Sequence, residues 1–302
     1  MPDFTLRQLE YLIACVDTGS VAAAAARLNV SSPTISVAIA KLEDQLGMQL
    51  LLRRHAQGVT LTGAAADLLP MARNLLSQAD DFGRAALDAG QGVRGRLGVG
   101  ALSTLAPKVL PGVIRAMAET YPGISVNIRE GSQTQIIDTL HAGHLDIALL
   151  YDIDLPASLE RTPLAAPPPY AALPEDHPLV ACGDIALSEL VDEPLILLDM
   201  PPSRDYFLGL FRAQGLEPRV AQTSPSIELV RGLVGQGLGY AILVTQPESN
   251  LTYDGRRIVS RPLRDCPTRS PIVIARPSGL RETRMMTAFA EVAAQEIGGA
   301  VT

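Results

Sequence analysis

Three things are scarce in this chain. It has only Cys15, Cys182 and Cys266, widely spaced and odd in number; that excludes a disulfide scaffold and a cysteine metal motif and fits reduced thiols. No apolar run reaches the roughly 20 residues of a membrane helix, and Met1 to Glu10 lacks signal-peptide character, so a soluble, cytoplasmic protein is expected. Positive charge is not in excess either. The net charge is -7 over 302 residues, and residues 1 to 60 balance Arg7, Arg27, Lys41, Arg53 and Arg54 against Asp3, Glu10, Asp17, Glu43 and Asp44. A neutral segment is a poor generic binder of polyanions. What is present is apolar: 47% of the residues, ample core for two or three domains.

The most informative stretch is Leu6 to Thr62. Leu6, Leu9, Ile13 and Val16 recur at helical spacing and Gly19-Ser20 stops that helix. Ser20 can cap a second, Ala22 to Ala26, whose small side chains allow a neighbour to approach closely. Leu28-Asn29-Val30 is a turn. Ser31 or Ser32 caps a third helix, with Pro33 in its first turn. There Ile35, Ile39, Leu42 and Leu46 form a stripe towards the core, leaving Pro33, Thr34, Val37, Ala40 and Lys41 outward with Ser36 at the edge. Thr and Ser can hydrogen-bond base edges in a major groove, and Val37 can meet a thymine methyl. Leu50 to Leu52 reads as a short strand; Arg53-Arg54-His55 and Gln57-Gly58 read as a wing contacting phosphate. This order suggests a winged helix-turn-helix, although three short Ala-rich helices also occur in ordinary bundles.

The run Leu6-Arg7-Gln8-Leu9, Gly19-Ser20, Ala24 to Leu28, Ser31-Ser32-Pro33, Ser36, Ile39, Leu42-Glu43, Leu46-Gly47, Leu50, Arg53 and Leu61-Thr62 resembles the amino-terminal signature of LysR-type transcriptional regulators, and the resemblance continues along the chain. The family usually has Phe at Leu51, often a basic or amide side chain at Val37, and Gly at Ala65. The resemblance implies double-stranded promoter or operator DNA, a small-molecule effector, a homodimer or homotetramer and RNA polymerase as partners, with no membrane and no cofactor. DNA contacts are expected from Ser31, Ser32, Pro33, Thr34, Ser36, Val37, Lys41, Arg53 and Arg54.

Leu61, Leu68, Leu75, Phe82 and Ala89 then fall seven apart, the seam of a long helix that needs a partner helix from a second subunit. Pro70 should bend or loosen it. In the family this is the dimerising linker, and Gly90 to Gly95 follows as a hinge.

Beyond it the chain alternates. A strand at Arg96 to Ala101, a helix at Thr104 to Thr120, a strand at Ile124 to Glu130, a helix at Gln133 to Ala142 and a strand at Asp146 to Tyr151 predict a parallel sheet covered by helices. Pro163 to Pro178 is expected to cross to a second lobe. That lobe should hold strands at Leu195 to Leu198, Arg219 to Thr223 and Tyr240 to Val244 and helices near Arg204 to Gln214 and Ile227 to Gly235. A strand at Ile272 to Ala275 and a helix at Glu282 to Ile297 should complete the first lobe. The expected architecture is α/β: a winged helix-turn-helix over 1–61, a linker helix over 62–90 and, over 91–302, a two-lobed effector domain like the periplasmic binding proteins. Lobe I covers about 94–163 and 270–302, lobe II about 164–269.

Helix starts at Ser103-Thr104, Ser132-Gln133, Ser203-Arg204 and Ser224-Pro225-Ser226 should converge at the strand ends. Free amides, positive helix ends and hydroxyls suit an anion, and Arg204 can add a clamp or pair with Asp199 or Asp205 instead. Ordinary capping is the competing role for each serine. The family resemblance places Thr104, Ser132 and Pro201 to Arg204 at the effector site. The expected effector sites are therefore Ser103, Thr104, Ser132, Gln133, Pro202, Ser203, Arg204 and Ser226, with an organic acid as ligand. The alternative is a cytoplasmic solute-binding or redox-sensing regulator with no carboxylate ligand, the latter through Cys182 and Cys266, neither of which has an adjacent basic residue to favour a thiolate. Gly235, Gly237 and Gly239 precede a strand, whereas a dinucleotide fingerprint follows one. His141 and His144 read as helix-terminal residues rather than a metal pair, and His177 has no nucleophile motif nearby, so no enzyme is expected.

Overall fold

The computed structural model describes residues 3–54, 58–87, 93–266 and 269–300; the side chains of Arg53 and Arg54, and residues His55 and Gln57, lie outside that description, as do Ala89, Gly90 and Gly92 of the expected linker and hinge.

The amino-terminal head is built from α1 (Leu6–Thr18), α2 (Val21–Leu28), α3 (Ser32–Leu46), β1 (Leu51–Arg54) and β2 (Gly58–Leu61). Thr5 and Gln8 close a capping box at the start of α1. Ser20 caps α2, Asn29 ends it in the left-handed conformation, and Ser31, not Ser32, caps α3. Ile35, Ile39 and Leu42 are buried as the stripe requires, while Leu46 is exposed because α3 stops at Gly47 one residue later. Gln8 is buried too and joins α1 to α3, its Nε2 donating to Ala38 O at 3.3 Å and Gln45 Oε1 at 3.1 Å. β1 and β2 pair antiparallel as the wing. The wing is tied to α1 where Val59 N donates to Gly19 O at 2.8 Å. A Cβ on Gly58 would lie 2.2 Å from that oxygen, so glycine is required there.

Thr62 caps α4 (Gly63–Leu87), which continues through Pro70. α4 carries two apolar faces. Ala65, Leu69 and Ala72 are buried against the head, whereas Met71, Leu75 and Phe82 are exposed, Phe82 by 77%. Of the expected seam, Leu75 and Phe82 lie on the face the head leaves uncovered, whereas Leu61 and Leu68 are partly buried against the head's core and Ala89 lies outside the described residues.

The rest of the chain forms two lobes. The first has β3 (Gly95–Leu102), α5 (Ala106–Thr120), β4 (Ile124–Gly131), α6 (Gln133–His141), β5 (Ile147–Tyr151) and β6 (Leu159–Ala165). The second has β7 (Tyr170–Pro174), β8 (Leu195–Leu198), α7 (Ser203–Arg212), β9 (Val220–Ser224), α8 (Ile227–Gly235), β10 (Ala241–Leu243) and β11 (Ile258–Pro262). The chain returns to the first lobe with β12 (Ile272–Pro277) and α9 (Arg284–Ala300). The first sheet has the order β4-β3-β5-β12-β6. β3 runs parallel to β4 and β5, but β12 is antiparallel to β5 and β6, so the sheet is mixed rather than wholly parallel. The second lobe joins β10-β7-β11 to the parallel pair β8-β9 through Ile196 N to Tyr240 O at 2.8 Å. Gly239 permits that join: a Cβ there would meet Pro194 O at 2.1 Å, which accounts for a glycine before the strand without any nucleotide.

Two expectations are corrected. Pro163 to Pro178 is not simply a crossing, because β6 and β7 occupy half of it and only its residues 166–169 pass between lobes. The helix expected from Thr104 starts at Ala106, its N-cap being Leu105 with no side-chain bond.

Candidate DNA-binding face and effector cleft

On α3 the outward residues Pro33, Thr34, Val37, Ala40 and Lys41 are all exposed, Val37 by 68%, with Ser36 half-buried at the edge. Ser31 Oγ receives Thr34 N at 3.3 Å and lies 2.7 Å from Thr34 Oγ1, so both hydroxyls belong to the cap that sets the direction of the helix start. An exposed valine flanked by Ser, Thr and Lys on a capped helix is a surface without a partner in its own fold. Two acidic side chains of the head are meanwhile engaged, one within the head and one by the linker helix. Glu43 Oε1 accepts Leu50 N at 2.8 Å and Leu51 N at 3.1 Å, fixing β1 against α3, and Asp17 is held by Arg73 at 2.5 Å. Sequence reasoning used Gln8 and Glu43 only as part of the family signature and assigned neither a structural role, although Thr5-x-x-Gln8 is a capping-box signal.

Between the lobes lies a cavity of about 1480 Å³. Of the eight residues anticipated for an effector, Ser103, Thr104, Ser132 and Ser226 line it. Thr104 and Ser203 also line a small contiguous recess of about 20 Å³, room for one water, together with Tyr151, Thr245 and Ser270. Gln133, Pro202 and Arg204 line neither. Gln133 is buried and donates to Ile153 O at 2.7 Å. Arg204 pairs with Asp199 at 2.9 Å, the competing partner named above; that pairing raises its pKa, first through the hydrogen bond to Asp199.

The four helix starts differ in what their serines do. Ser132 and Ser226 are spent as caps, accepting Gln135 N at 3.4 Å and Leu229 N at 3.3 Å. α5 and α7 have no side-chain cap, their N-cap positions being Leu105 and Pro202. Thr104 and Ser203, beside those uncapped ends, face the same recess. Ser270, missed by sequence reasoning because it sits in an irregular crossing segment, is 2% exposed and its Oγ has no hydrogen-bond partner. The phenol of Tyr151 is pushed up to about 12 by burial, so at neutral pH it is an un-ionised hydroxyl, 2.7 Å from Thr245 Oγ1 across the two lobes.

His141 bonds Ser158 at 3.0 Å, His177 bonds Glu193 at 2.6 Å, and among the described residues no group of three potential metal ligands occurs. No single described helix is long and apolar enough to cross a membrane.

The family model described as LysR substrate binding domain matches residues 90–298, and that described as bacterial regulatory helix-turn-helix protein, lysR family, matches residues 6–66. The HTH-type transcriptional regulator YnfL of Escherichia coli is 36% identical over 248 residues, 79% of this chain and 81% of that protein. The DNA-binding transcriptional dual regulator OxyR of E. coli is 30% identical over 239 residues, 79% of this chain and 78% of that protein. Among solved structures, HinK of Pseudomonas aeruginosa, a LysR family transcriptional regulator, is 38% identical with a TM-score of 0.68, covering 99% of this chain and 100% of that one. Full-length OxyR of P. aeruginosa reaches a TM-score of 0.76 at 28% identity over 96% of this chain and 94% of that one. With a helix-turn-helix at one end and a two-lobed cleft over most of the remainder, the chain belongs to the LysR family of DNA-binding transcriptional regulators and is not an enzyme.

Proposed function

We propose that this regulator is controlled by a small carboxylate bound between its lobes. The supporting observation is the recess where two uncapped helix starts meet the hydroxyls of Thr104, Ser203 and Ser270. Pro107 has no N–H, and Lys108 N and Arg204 N already bond Leu105 O and Met200 O, so what these starts offer an anion is chiefly the positive ends of the two helix dipoles. The unpartnered Ser270 Oγ supplies a further donor, since a buried hydroxyl without a partner costs free energy that a ligand oxygen would recover. The division of labour follows the expected bounds: 1–61 contacts DNA, 62–90 joins two subunits through the exposed face of α4, and 91–302 holds the effector. Thr34, Ser36, Val37 and Lys41 read base edges while Arg53 and Arg54 hold phosphate. The setting for this work is the cytoplasm.

The similarity to OxyR and to a relative described as a hydrogen peroxide-inducible genes activator raises thiol sensing as a second reading. Cys266 opposes it: burial and then Asp265 push its thiol up to about 12, away from the thiolate that peroxide chemistry needs. Cys15 is fully buried.

The test is a thermal-shift screen of the full-length protein against small mono- and dicarboxylic acids, with Thr104→Val and Ser270→Ala alongside. A stabilising acid at 100 times its Kd adds about 2.7 kcal/mol, and that shift should disappear in both variants. Acids that stabilise wild type and both variants alike, or a neutral ligand that binds while no acid does, would overturn the carboxylate assignment.

A further inference from the structure

α6 touches both halves of the regulator. Its first turn and the residues before it, Gly131, Ser132 and Gln135, line the interlobe cavity. Its nine residues span about 13 Å at 1.5 Å per residue. At its far end the chain turns tightly, with Gly143 N donating to Leu140 O at 2.9 Å and His144 N to Thr139 O at 3.1 Å. That turn lies against the linker helix. A Cβ on Gly143, whose φ is +69°, would fall 2.7 Å from Arg73 Cδ and 3.2 Å from Pro70 Cα, so α4 rests directly on this glycine.

Asp17 of the head closes the junction. Its carboxylate takes Arg73 of α4 at 2.5 Å, Arg27 of α2 at 3.5 Å and His144 of the turn at 3.7 Å. One carboxylate therefore faces an arginine from the head, an arginine from the linker and an imidazole from the effector domain. Arg73 is mostly enclosed, its side chain 13% exposed, and its Nε is buried with no hydrogen-bond partner.

We propose that α6 is a strut coupling the interlobe cavity to the DNA-binding head through the Gly143–His144 turn and the Asp17–Arg73 pair. Anything that moves Ser132 and Gln135 at one end displaces the turn at the other, and the turn sets whether Asp17 is shared between the head and the effector domain. The proposal depends on the effector reading only for the identity of the molecule in the cavity.

His144 is the test position because its side chain is 45% exposed, so its variants fold. His144→Lys places a permanent cation beside Asp17 and His144→Glu places an anion there. In the full-length oligomer, without DNA or ligand, amide exchange at residues 14–19 and 141–146 should quicken about threefold in His144→Glu and slow in His144→Lys. Affinity for a duplex selected from a random DNA library should move in opposite directions in the two variants, about fivefold apart. Unchanged exchange in both would overturn the junction. Altered exchange with equal DNA affinities would overturn the coupling and leave a purely structural contact. Opposite affinity shifts in a protein that no carboxylate stabilises would uphold the strut and count only against the carboxylate reading.

Discussion

Glu43 determines where the wing sits, and the cost of removing it follows from its contacts. Its Oε1 accepts the amides of Leu50 and Leu51, residues that are 1% and 3% exposed and have little access to replacement water. Alanine leaves two buried donors unsatisfied, at about 1–3 kcal/mol each. Partial relaxation of the strand brings the sum to about 3 kcal/mol, a shift of roughly 150-fold between docked and undocked wing. Glutamine retains an acceptor oxygen and loses mainly the charge assistance, about 1 kcal/mol. Hydrogen exchange resolved over 50–53 and 58–61 reports the wing, and fluorescence anisotropy on a selected operator reports binding. Glu43→Ala should exchange one to two orders of magnitude faster over those segments and bind operator more weakly, with oligomer size unchanged, and Glu43→Gln should lie between it and wild type. If Glu43→Ala exchanged and bound like wild type, the carboxylate would not be what holds the wing, and its two hydrogen bonds would be incidental.

Val37→Asp should abolish specific operator binding while leaving unfolding within about 0.5 kcal/mol of wild type, since the site is open to solvent; a normal footprint would remove α3 from the groove. Replacing Arg53 and Arg54 together by alanine should weaken binding to all sequences and flatten the dependence of log K on log salt by about two units; an unaltered slope would mean the wing does not touch phosphate. Leu75→Glu with Phe82→Glu should lower the mass measured by sedimentation, because both side chains lie on the exposed face of α4; an oligomer of wild-type size would show that another surface holds the subunits together.

Elements with a complete periodic signal were legible in the sequence. Ile35, Ile39 and Leu42 are buried as their spacing required, and α8 occupies Ile227–Gly235 as expected. β6, β7 and β11 were not legible. Proline is tolerated at a sheet edge or a strand end, and here Pro163 lies in the edge strand β6 while Pro174 ends β7, so a segment that reads as a crossing carries two strands. Site residues divided along similar lines. Hydroxyls near helix starts could be found by pattern, but which were spent on capping depended on where each helix begins: Ser132 caps α6, whereas Thr104 lies ahead of an uncapped α5. Ser270, and the seat of Arg73 on Gly143, arise from contacts between distant segments and leave no local periodicity to read.

The place of β12 in the first sheet has a consequence for biosynthesis. β5 and β6 both wait for Ile272–Pro277 before either gains its shared neighbour. The head and α4 are complete by Leu87, about 185 residues earlier, or roughly 10–40 s at ribosomal rates of 5–20 residues per second. During that interval a nascent chain carries a folded head and an exposed helix face, while its first lobe has an open edge along β5. If the proposed α4 contact joins the subunits, chains translated from one messenger can meet before either has a complete first lobe, and a chain cut short before Ile272 would leave the ribosome with that edge unpaired and prone to aggregation.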